Sequence, residues 1–263
     1  MHKINILQQS LDAAARRRGG RRYAFPHIEA AKTALLVIDM QVYFMAPGMA
    51  AEVPMARAIV PNINKLAAAL RTAGGQDVWV KSTFDENTSE NWSVMMHELF
   101  SKERREAMLE NLCKGGKGHP LWPDFVVEPE DWSVEKNRFS AFIQGASDIE
   151  ARLRAADIDT VIITGTLTDV CCESTARDAM MLNFKTIVVT DANAADCDED
   201  HNNALNAMAR LFADVVPTDD VIARLVPASR STAQPITIAY NPQFTPFGFE
   251  DNGIALGLVI VLL

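Results

Sequence analysis

Short, nearly continuous apolar runs alternate along this chain with segments of helical periodicity. Residues 34–40 (ALLVIDM), 77–83 (DVWVKST), 159–166 (DTVIITGT) and 185–193 (KTIVVTDAN) combine β-branched and apolar residues over strand-like lengths. Strands of this kind are buried on both faces, which is typical of a parallel sheet covered by helices. The alternation therefore predicts an α/β fold, a doubly wound, Rossmann-like, mostly parallel sheet in three α/β/α layers.

The 263 residues divide into three expected parts. Residues 1–32 are polar and basic, with ARRRGGRR at 15–22, and are expected to form an N-terminal arm lying on the domain or on a neighbouring subunit. Residues 33–226 form the domain proper. Residues 227–263 form a tail without helical period, to which the sequence assigns no role.

Residues 84–129 interrupt the alternation of strands and helices, and they are rich in aromatic residues and methionine. Long insertions between regular elements are often lids or pocket walls. The same apolar residues would also suit a small separate core beneath the insertion, and the sequence leaves these alternatives open.

Composition limits the classes of partner. The net charge is −9 and the basic residues do not cluster beyond the arm, which argues against nucleic acid as the main partner. The apolar run at the C-terminal end is about ten residues long, too short to span a bilayer. The N-terminus lacks the apolar core of a signal peptide, so a cytoplasmic protein without a membrane partner is expected.

The cysteines indicate neither a zinc site nor a disulfide framework, because Cys113, Cys171, Cys172 and Cys197 show no Cys-x-x-Cys or Cys/His spacing. Cys171 lies where a predicted strand ends and a helix begins. In open α/β sheets ligands bind at that edge, and a thiol at a helix N-terminus is expected to favour the thiolate. The alternative is that Cys171 and Cys172 are small core residues.

Two other polar residues are expected at the same sheet edge. Asp39 ends the first strand, and Lys136 lies in an extended segment, residues 132–142, before the strand that leads to Cys171. A carboxylate, a cation and a thiol are the groups that a cysteine hydrolase needs. Each also has a structural interpretation, as a turn residue, a surface lysine or a core cysteine.

Three motifs, IDMQ at 38–41, EKNRFSAF at 135–142 and TGTLTDVCCESTARDA at 164–179, resemble the cysteine hydrolases of the isochorismatase-like superfamily over roughly residues 33–225. The resemblance implies a catalytic triad on Asp39, Lys136 and Cys171 that hydrolyses amides and ureides through a thioester. Cys172 falls where the family often has valine, which implies a packing residue.

The resemblance also implies a cis peptide bond between Thr166 and Leu167. Its expected consequence is an oxyanion hole formed by the backbone amides of Leu167 and Cys171.

The resemblance further indicates which branch of the superfamily to expect. Metal-binding nicotinamidase-like members carry Asp-x-His and a further histidine after the second strand, whereas this chain reads KSTFDENTSENW there, with no histidine before His97. We therefore expect no catalytic metal and no cofactor. Isochorismatases proper lack the nucleophilic cysteine, whereas CCESTARDA and the polar arm look closest to ureidoacrylate amidohydrolases.

The expected activity is hydrolysis of a non-peptide C–N bond in a small ureide, carbamoyl or amide compound, releasing ammonia or an amine. The alternatives are an amidase for an unrelated small amide and a catalytically silent binding or assembly module. A homo-oligomer, dimer or tetramer, is expected. The predicted substrate contacts are Gln41, Tyr43, Asn87, Asn91, Trp92 and Phe142. The residues Asn87, Asn91 and Trp92 could equally cap and pack the insertion.

Overall fold

A six-stranded parallel sheet is the centre of the computed structural model, which describes residues 1–228. The strands within these residues are β1 (Ile28–Glu29), β2 (Thr33–Ile38), β3 (Gln76–Ser82), β4 (Trp132–Lys136), β5 (Thr160–Thr166), β6 (Lys185–Ala194), β7 (Asp214–Val216) and β8 (Leu225–Val226). The main sheet has the order β4-β3-β2-β5-β6-β7, and all its neighbouring strands are parallel. β1 and β8 form a separate parallel pair.

Helices cover both faces of the sheet, which confirms the predicted doubly wound α/β fold. The α-helices of the described residues are α1 (Gln8–Arg17), α2 (Val42–Met45), α3 (Ala56–Ala73), α4 (Thr88–Asn91), α5 (Lys102–Leu112), α6 (Ile149–Ala155), α7 (Glu173–Met181), α8 (Asp198–Leu211) and α9 (Thr218–Arg224). Alternate strand residues point to opposite faces. Leu35 and Val37 pack with α3 and α9, whereas Leu36 and Ile38 pack with α6, α7 and α8.

The predicted N-terminal arm packs on the domain of its own chain. α1 lies against α8, and the backbone amides of Asn5 and Leu7 donate to the side chains of Asn202 and Asn206 at 2.6 and 2.8 Å. The predicted tail, residues 227–263, lies outside the described residues from position 229 onward.

The insertion forms a small core of its own. Between β3 and β4 the chain folds into α4, a π-helical turn at Val94–Leu99 and α5. These segments bury a third apolar cluster, separate from the clusters on the two faces of the sheet. Its fully or nearly buried members are Tyr43, Phe84, Met95, Met96, Met108 and Leu112.

One local prediction was wrong in detail. The segment predicted as extended over residues 132–142 is a strand only to Lys136. The helix predicted beyond Cys171 is α7, which begins at Glu173, and a π-helical turn at Thr168–Cys172 lies between β5 and α7. Separately, no helix in residues 1–228 combines the length and the apolar character needed to cross a membrane.

Asp77, at the start of β3, makes the stability of the protein depend on pH. Its carboxylate is fully buried, and its Oδ2 lies 2.7 Å from Nε of Arg71. Burial raises the pKa of Asp77 to about 8, the charge of Asp131 adds to the rise, and Arg71 opposes it. The folded state therefore keeps a proton that the unfolded state releases near its ordinary pKa. The resulting stabilisation is complete at pH values below the unfolded pKa and is lost as the pH rises towards 8.

We therefore expect Asp77→Asn to raise the free energy of unfolding by about 1–3 kcal/mol more at pH 9 than at pH 5. Urea denaturation at the two pH values measures the difference. Asp131→Asn is the control. Asp131 accepts hydrogen bonds from Arg71 and Trp79, so this substitution should destabilise the protein at both pH values. Equal effects of Asp77→Asn at pH 5 and pH 9 would contradict the raised pKa.

Candidate active site

Four adjacent strands deliver polar groups to one edge of the sheet. Asp39 directly follows β2, Ser82 ends β3, Lys136 ends β4, and Cys171 lies in the turn that follows β5. The strand order β4-β3-β2-β5 makes these strands neighbours. Because all are parallel, their carboxyl ends meet at the same edge. The topology therefore brings together residues that are distant in the chain.

Gly165 allows β5 to approach β2 closely at this edge. A Cβ atom at position 165 would lie 2.1 Å from the carbonyl oxygen of Ile38, and the residue has φ +118°. Only glycine avoids both the clash and the strained backbone. Asp39 itself has φ 54°, and its amide donates to the carbonyl of Val80 at 2.9 Å. This close packing places Asp39 beside β5, the strand that leads to Cys171.

Asp39 and Lys136 form a buried ion pair, with 2.8 Å between Oδ2 and Nζ. Nζ also donates to the carbonyl of Arg138 at 3.0 Å and lies 3.6 Å from Sγ of Cys171. Burial alone would lower the pKa of Lys136, but Asp39 and Cys171 together raise it above its ordinary value. Lys136 is therefore a cation held between a carboxylate and a thiol.

The surroundings of Cys171 favour the protonated thiol over the thiolate. Its side chain is buried, and burial, followed by the charge of Asp39, raises its pKa far above the ordinary value against the opposing effect of Lys136. Burial and the charge of Asp39 thus oppose the thiolate that the helix position was expected to favour. The thiol becomes a nucleophile only when a base takes its proton, and Asp39 is the neighbouring carboxylate.

The turn that carries Cys171 is held from behind by two stacked histidines. The peptide bond between Thr166 and Leu167 at its start is cis. Nδ1 of His201 lies 2.7 Å from the Thr168 hydroxyl, and Nε2 lies 3.1 Å from the carbonyl of Thr190. The carbonyl can only accept, so His201 donates with Nε2 and accepts from Thr168. The ring of His2 stacks on the ring of His201, with 4.4 Å between the ring centroids. The N-terminal arm therefore helps to hold the turn in place.

A cavity of about 400 Å³ opens above Ser82 and Cys171. The insertion supplies much of its wall, so the segment predicted as a lid or a pocket wall lines the cavity as well as forming its own core. Charged side chains interrupt an otherwise largely apolar and aromatic lining. The charged lining residues are Glu52, Arg104, Arg138, Asp169 and Asp196, and the aromatic ones are Phe44, Phe84, Trp92, Phe100 and Phe139.

The charged groups of the cavity differ in whether they are already paired. Glu52 is neutralised by Arg57, with 2.8 Å between the charged groups. Within residues 1–228, Arg104 and Arg138 have no carboxylate partner, and their guanidinium groups lie over the rings of Phe100 and Trp92. Cations over aromatic faces remain available to an anion at their edges. Burial, together with neighbouring acidic groups, raises the pKa of Asp169.

Of the predicted substrate contacts, Trp92 lines the cavity and the others do not. Gln41 was a wrong candidate because its amide is fully used. It donates to the carbonyls of Ser82 and His119 at 3.0 and 2.9 Å and accepts from the Ser82 amide at 2.8 Å. Tyr43 is buried in the insertion cluster.

The remaining predicted contacts lie elsewhere. Phe142 packs against Phe184, with ring centroids 5.4 Å apart, in the core on one face of the sheet. Asn87 and Asn91 are exposed on the insertion, where the Asn91 carbonyl accepts from Arg138. Ser82 and Arg104 were not predicted from the sequence. Ser82 could have been found as a polar residue ending a strand, as Asp39 was, whereas nothing in the polar sequence of α5 singles out Arg104.

Within residues 1–228, no group of three or more His, Cys, Asp or Glu side chains is arranged to hold a metal ion.

Comparison with known proteins identifies relatives of this chain. A family model described as the isochorismatase domain matches residues 33–220. The ureidoacrylate amidohydrolase RutB of Stutzerimonas stutzeri is 30% identical over 177 residues, which cover 63% of this chain and 71% of RutB.

Two solved structures share the fold. A cysteine hydrolase from Pseudomonas syringae pv. phaseolicola 1448A has a TM-score of 0.66 and 27% identity, covering 77% of this chain and 95% of that chain. The N-carbamoylsarcosine amidase of Thermoplasma acidophilum has a TM-score of 0.56 and 27% identity, covering 72% and 97%. Both similarities extend over nearly the whole of the solved chain.

Proposed function

Because the chain belongs to the isochorismatase family and is a hydrolase of non-peptide C–N bonds, we propose that it is a cysteine-dependent amidohydrolase of a small ureide. The observation that carries the proposal is the contiguous set Asp39–Lys136–Cys171 beside a cavity. A carboxylate base, a cation and a thiol in contact are sufficient for nucleophilic catalysis at a carbonyl carbon.

In the proposed mechanism, Asp39 takes the proton of Cys171 as sulfur attacks the substrate carbonyl. Lys136 stabilises the developing thiolate and keeps Asp39 in place. The negative charge on the carbonyl oxygen is stabilised by the backbone amides of Leu167 and Cys171. As the C–N bond breaks, Asp39 returns the proton to the leaving nitrogen. Asp39 then removes a proton from water, which hydrolyses the thioester and restores the thiol.

The charges of the cavity support a ureide that carries an acid group. A ureide offers N–H groups, which a carboxylate such as Asp169 can accept, and an acid group fits the cations Arg104 and Arg138. Relatives with about 30% identity are named for ureidoacrylate, and a structural neighbour is named for N-carbamoylsarcosine. We therefore propose a substrate that carries both a ureide group and an acid group.

Arg104→Met should raise KM for an acid-bearing ureide by roughly tenfold to a hundredfold, because a hydrogen-bonded charge is lost. Steady-state kinetics with an N-carbamoyl amino acid and with its uncharged amide measure the effect, which should be small for the amide. Arg104→Lys is the control because it keeps the charge. An equal loss on both substrates would contradict the assigned contact.

The test of the proposed function is ammonia release from a panel of ureides, N-carbamoyl compounds and primary amides, with Cys171→Ala as control. Release that depends on Cys171 and is fastest for ureides is expected. Release confined to simple amides would replace the ureide with an unrelated amide. The absence of release across the panel would overturn the proposed activity.

A further inference from the structure

We infer that Ser82 is a positioning residue of the catalytic site, acting through Asp39 and Lys136. This inference deepens the proposed function and rests on it. The strand order places it between them: Lys136 ends β4, Asp39 follows β2, and β3 lies between those strands and ends at Ser82. In the register of β3 and β4, Ser82 and Lys136 are direct partners.

The Ser82 hydroxyl bridges the two charged groups. Its oxygen lies 2.9 Å from Oδ1 of Asp39 and 2.9 Å from Nζ of Lys136. An ammonium can only donate and a carboxylate can only accept, whereas a hydroxyl does both. The direction of each hydrogen bond is therefore fixed: Lys136 donates to Ser82, and Ser82 donates to Asp39. No apolar side chain of similar size could occupy this position without leaving both partners short of a hydrogen bond.

Because of this bridge, the two carboxylate oxygens of Asp39 have different hydrogen-bond partners. Oδ1 of Asp39 accepts from both the hydroxyl and the backbone amide of Ser82, at 2.9 and 3.0 Å. Oδ2 faces Lys136 at 2.8 Å. With Oδ1 occupied, Oδ2 is the oxygen left to exchange a proton with Cys171. Ser82 thus selects which carboxylate oxygen is left to react.

Ser82 is itself held in place by Gln41. The side-chain amide of Gln41 donates to the Ser82 carbonyl and accepts from the Ser82 amide, as a neighbouring backbone would. Ser82 is only 4% exposed, yet it lines the cavity beside Cys171. The serine hydroxyl is therefore rigidly supported at the wall of this cavity.

The test compares Ser82→Val with Ser82→Thr, a pair of nearly equal shape in which only threonine keeps the hydroxyl. We expect Ser82→Val to lower kcat by roughly tenfold to a hundredfold with KM nearly unchanged, because two hydrogen bonds to charged groups are lost. The acid limb of the kcat–pH profile should move to higher pH. Ser82→Thr should restore most of kcat and the position of the limb. Ser82→Ala repeats the test without added volume.

A second readout needs no substrate. Without the hydroxyl, Lys136 can donate more strongly to Cys171, so the pH dependence of Cys171 alkylation by iodoacetamide should move to lower pH in Ser82→Val and Ser82→Ala. It should stay close to that of the wild type in Ser82→Thr. If the wild type hydrolyses nothing in the panel, the proposed function fails, and alkylation still decides the role of Ser82. Valine and threonine variants that match in kcat, pH profile and alkylation would overturn the inference.

Discussion

Replacing Cys171 by alanine is expected to abolish hydrolysis, with a loss of kcat of about 10⁴-fold or more, because no other group can form the acyl-enzyme. The fold should persist, since the side chain is small and alanine leaves only a minor space. Ammonia release under saturating substrate measures the loss, and circular dichroism with thermal unfolding verifies the fold.

Cys172→Val is the matched control for this loss. Cys172 is fully buried, with Sγ 3.9 Å from the carbonyl of Thr164, and valine approximately conserves its volume. This variant should retain activity within a few-fold of the wild type. Inactivity of a well-folded Cys172→Val protein, or turnover by Cys171→Ala, would show that the reactive thiol has been wrongly assigned.

Asp39→Asn is expected to lower kcat by roughly 10²–10⁴-fold while making Cys171 easier to ionise. The two effects have one cause. Asp39 is the base of the proposed mechanism, and its negative charge is also one of the causes that raise the pKa of the Cys171 thiol, after burial. Asparagine removes the base and the charge but leaves Lys136, which favours the thiolate. The pKa of Cys171 should therefore fall as activity is lost.

The rate of Cys171 alkylation by iodoacetamide as a function of pH measures this shift. Asp39→Asn should react at lower pH than the wild type despite its inactivity. Lys136→Met is the opposite control, because loss of the cation should raise the pKa of Cys171 further and slow alkylation. An unchanged profile in Asp39→Asn would mean that its carboxylate does not control the thiol.

The positions of Asp39, Lys136 and Cys171 were accessible from sequence for a topological reason. Asp39 and Cys171 follow apolar runs that could be recognised as buried strands, Lys136 lies in a segment that could be recognised as extended, and parallel strands place such residues at one edge. The sequence motifs then supplied the pairing of these particular residues. The same logic, applied to the end of β3, would have selected Ser82 as well.

The ionisation of Cys171 could not be predicted in the same way. Its place at the start of a helix suggested a thiolate, but burial and the charge of Asp39 decide the pKa, and both depend on tertiary packing. Most of the predicted substrate contacts were wrong for a related reason, because they too depend on tertiary packing. Gln41 belongs to the same motif as Asp39, yet its side-chain amide forms hydrogen bonds with backbone groups. Arg104, by contrast, reaches the cavity from an insertion whose folding the sequence left open.

The most direct test of the account is to identify the acylated residue during turnover. Trypsin should release residues 155–177, which contain both adjacent cysteines, so the Cys172→Val background leaves one thiol in that peptide. The protein is mixed with a ureide hydrolysed in the panel, quenched in acid within one turnover, digested and examined by mass spectrometry. The account predicts the mass of the acyl group on Cys171. An acyl group on any other peptide, or product formed at the wild-type rate by Cys171→Ala, would contradict it.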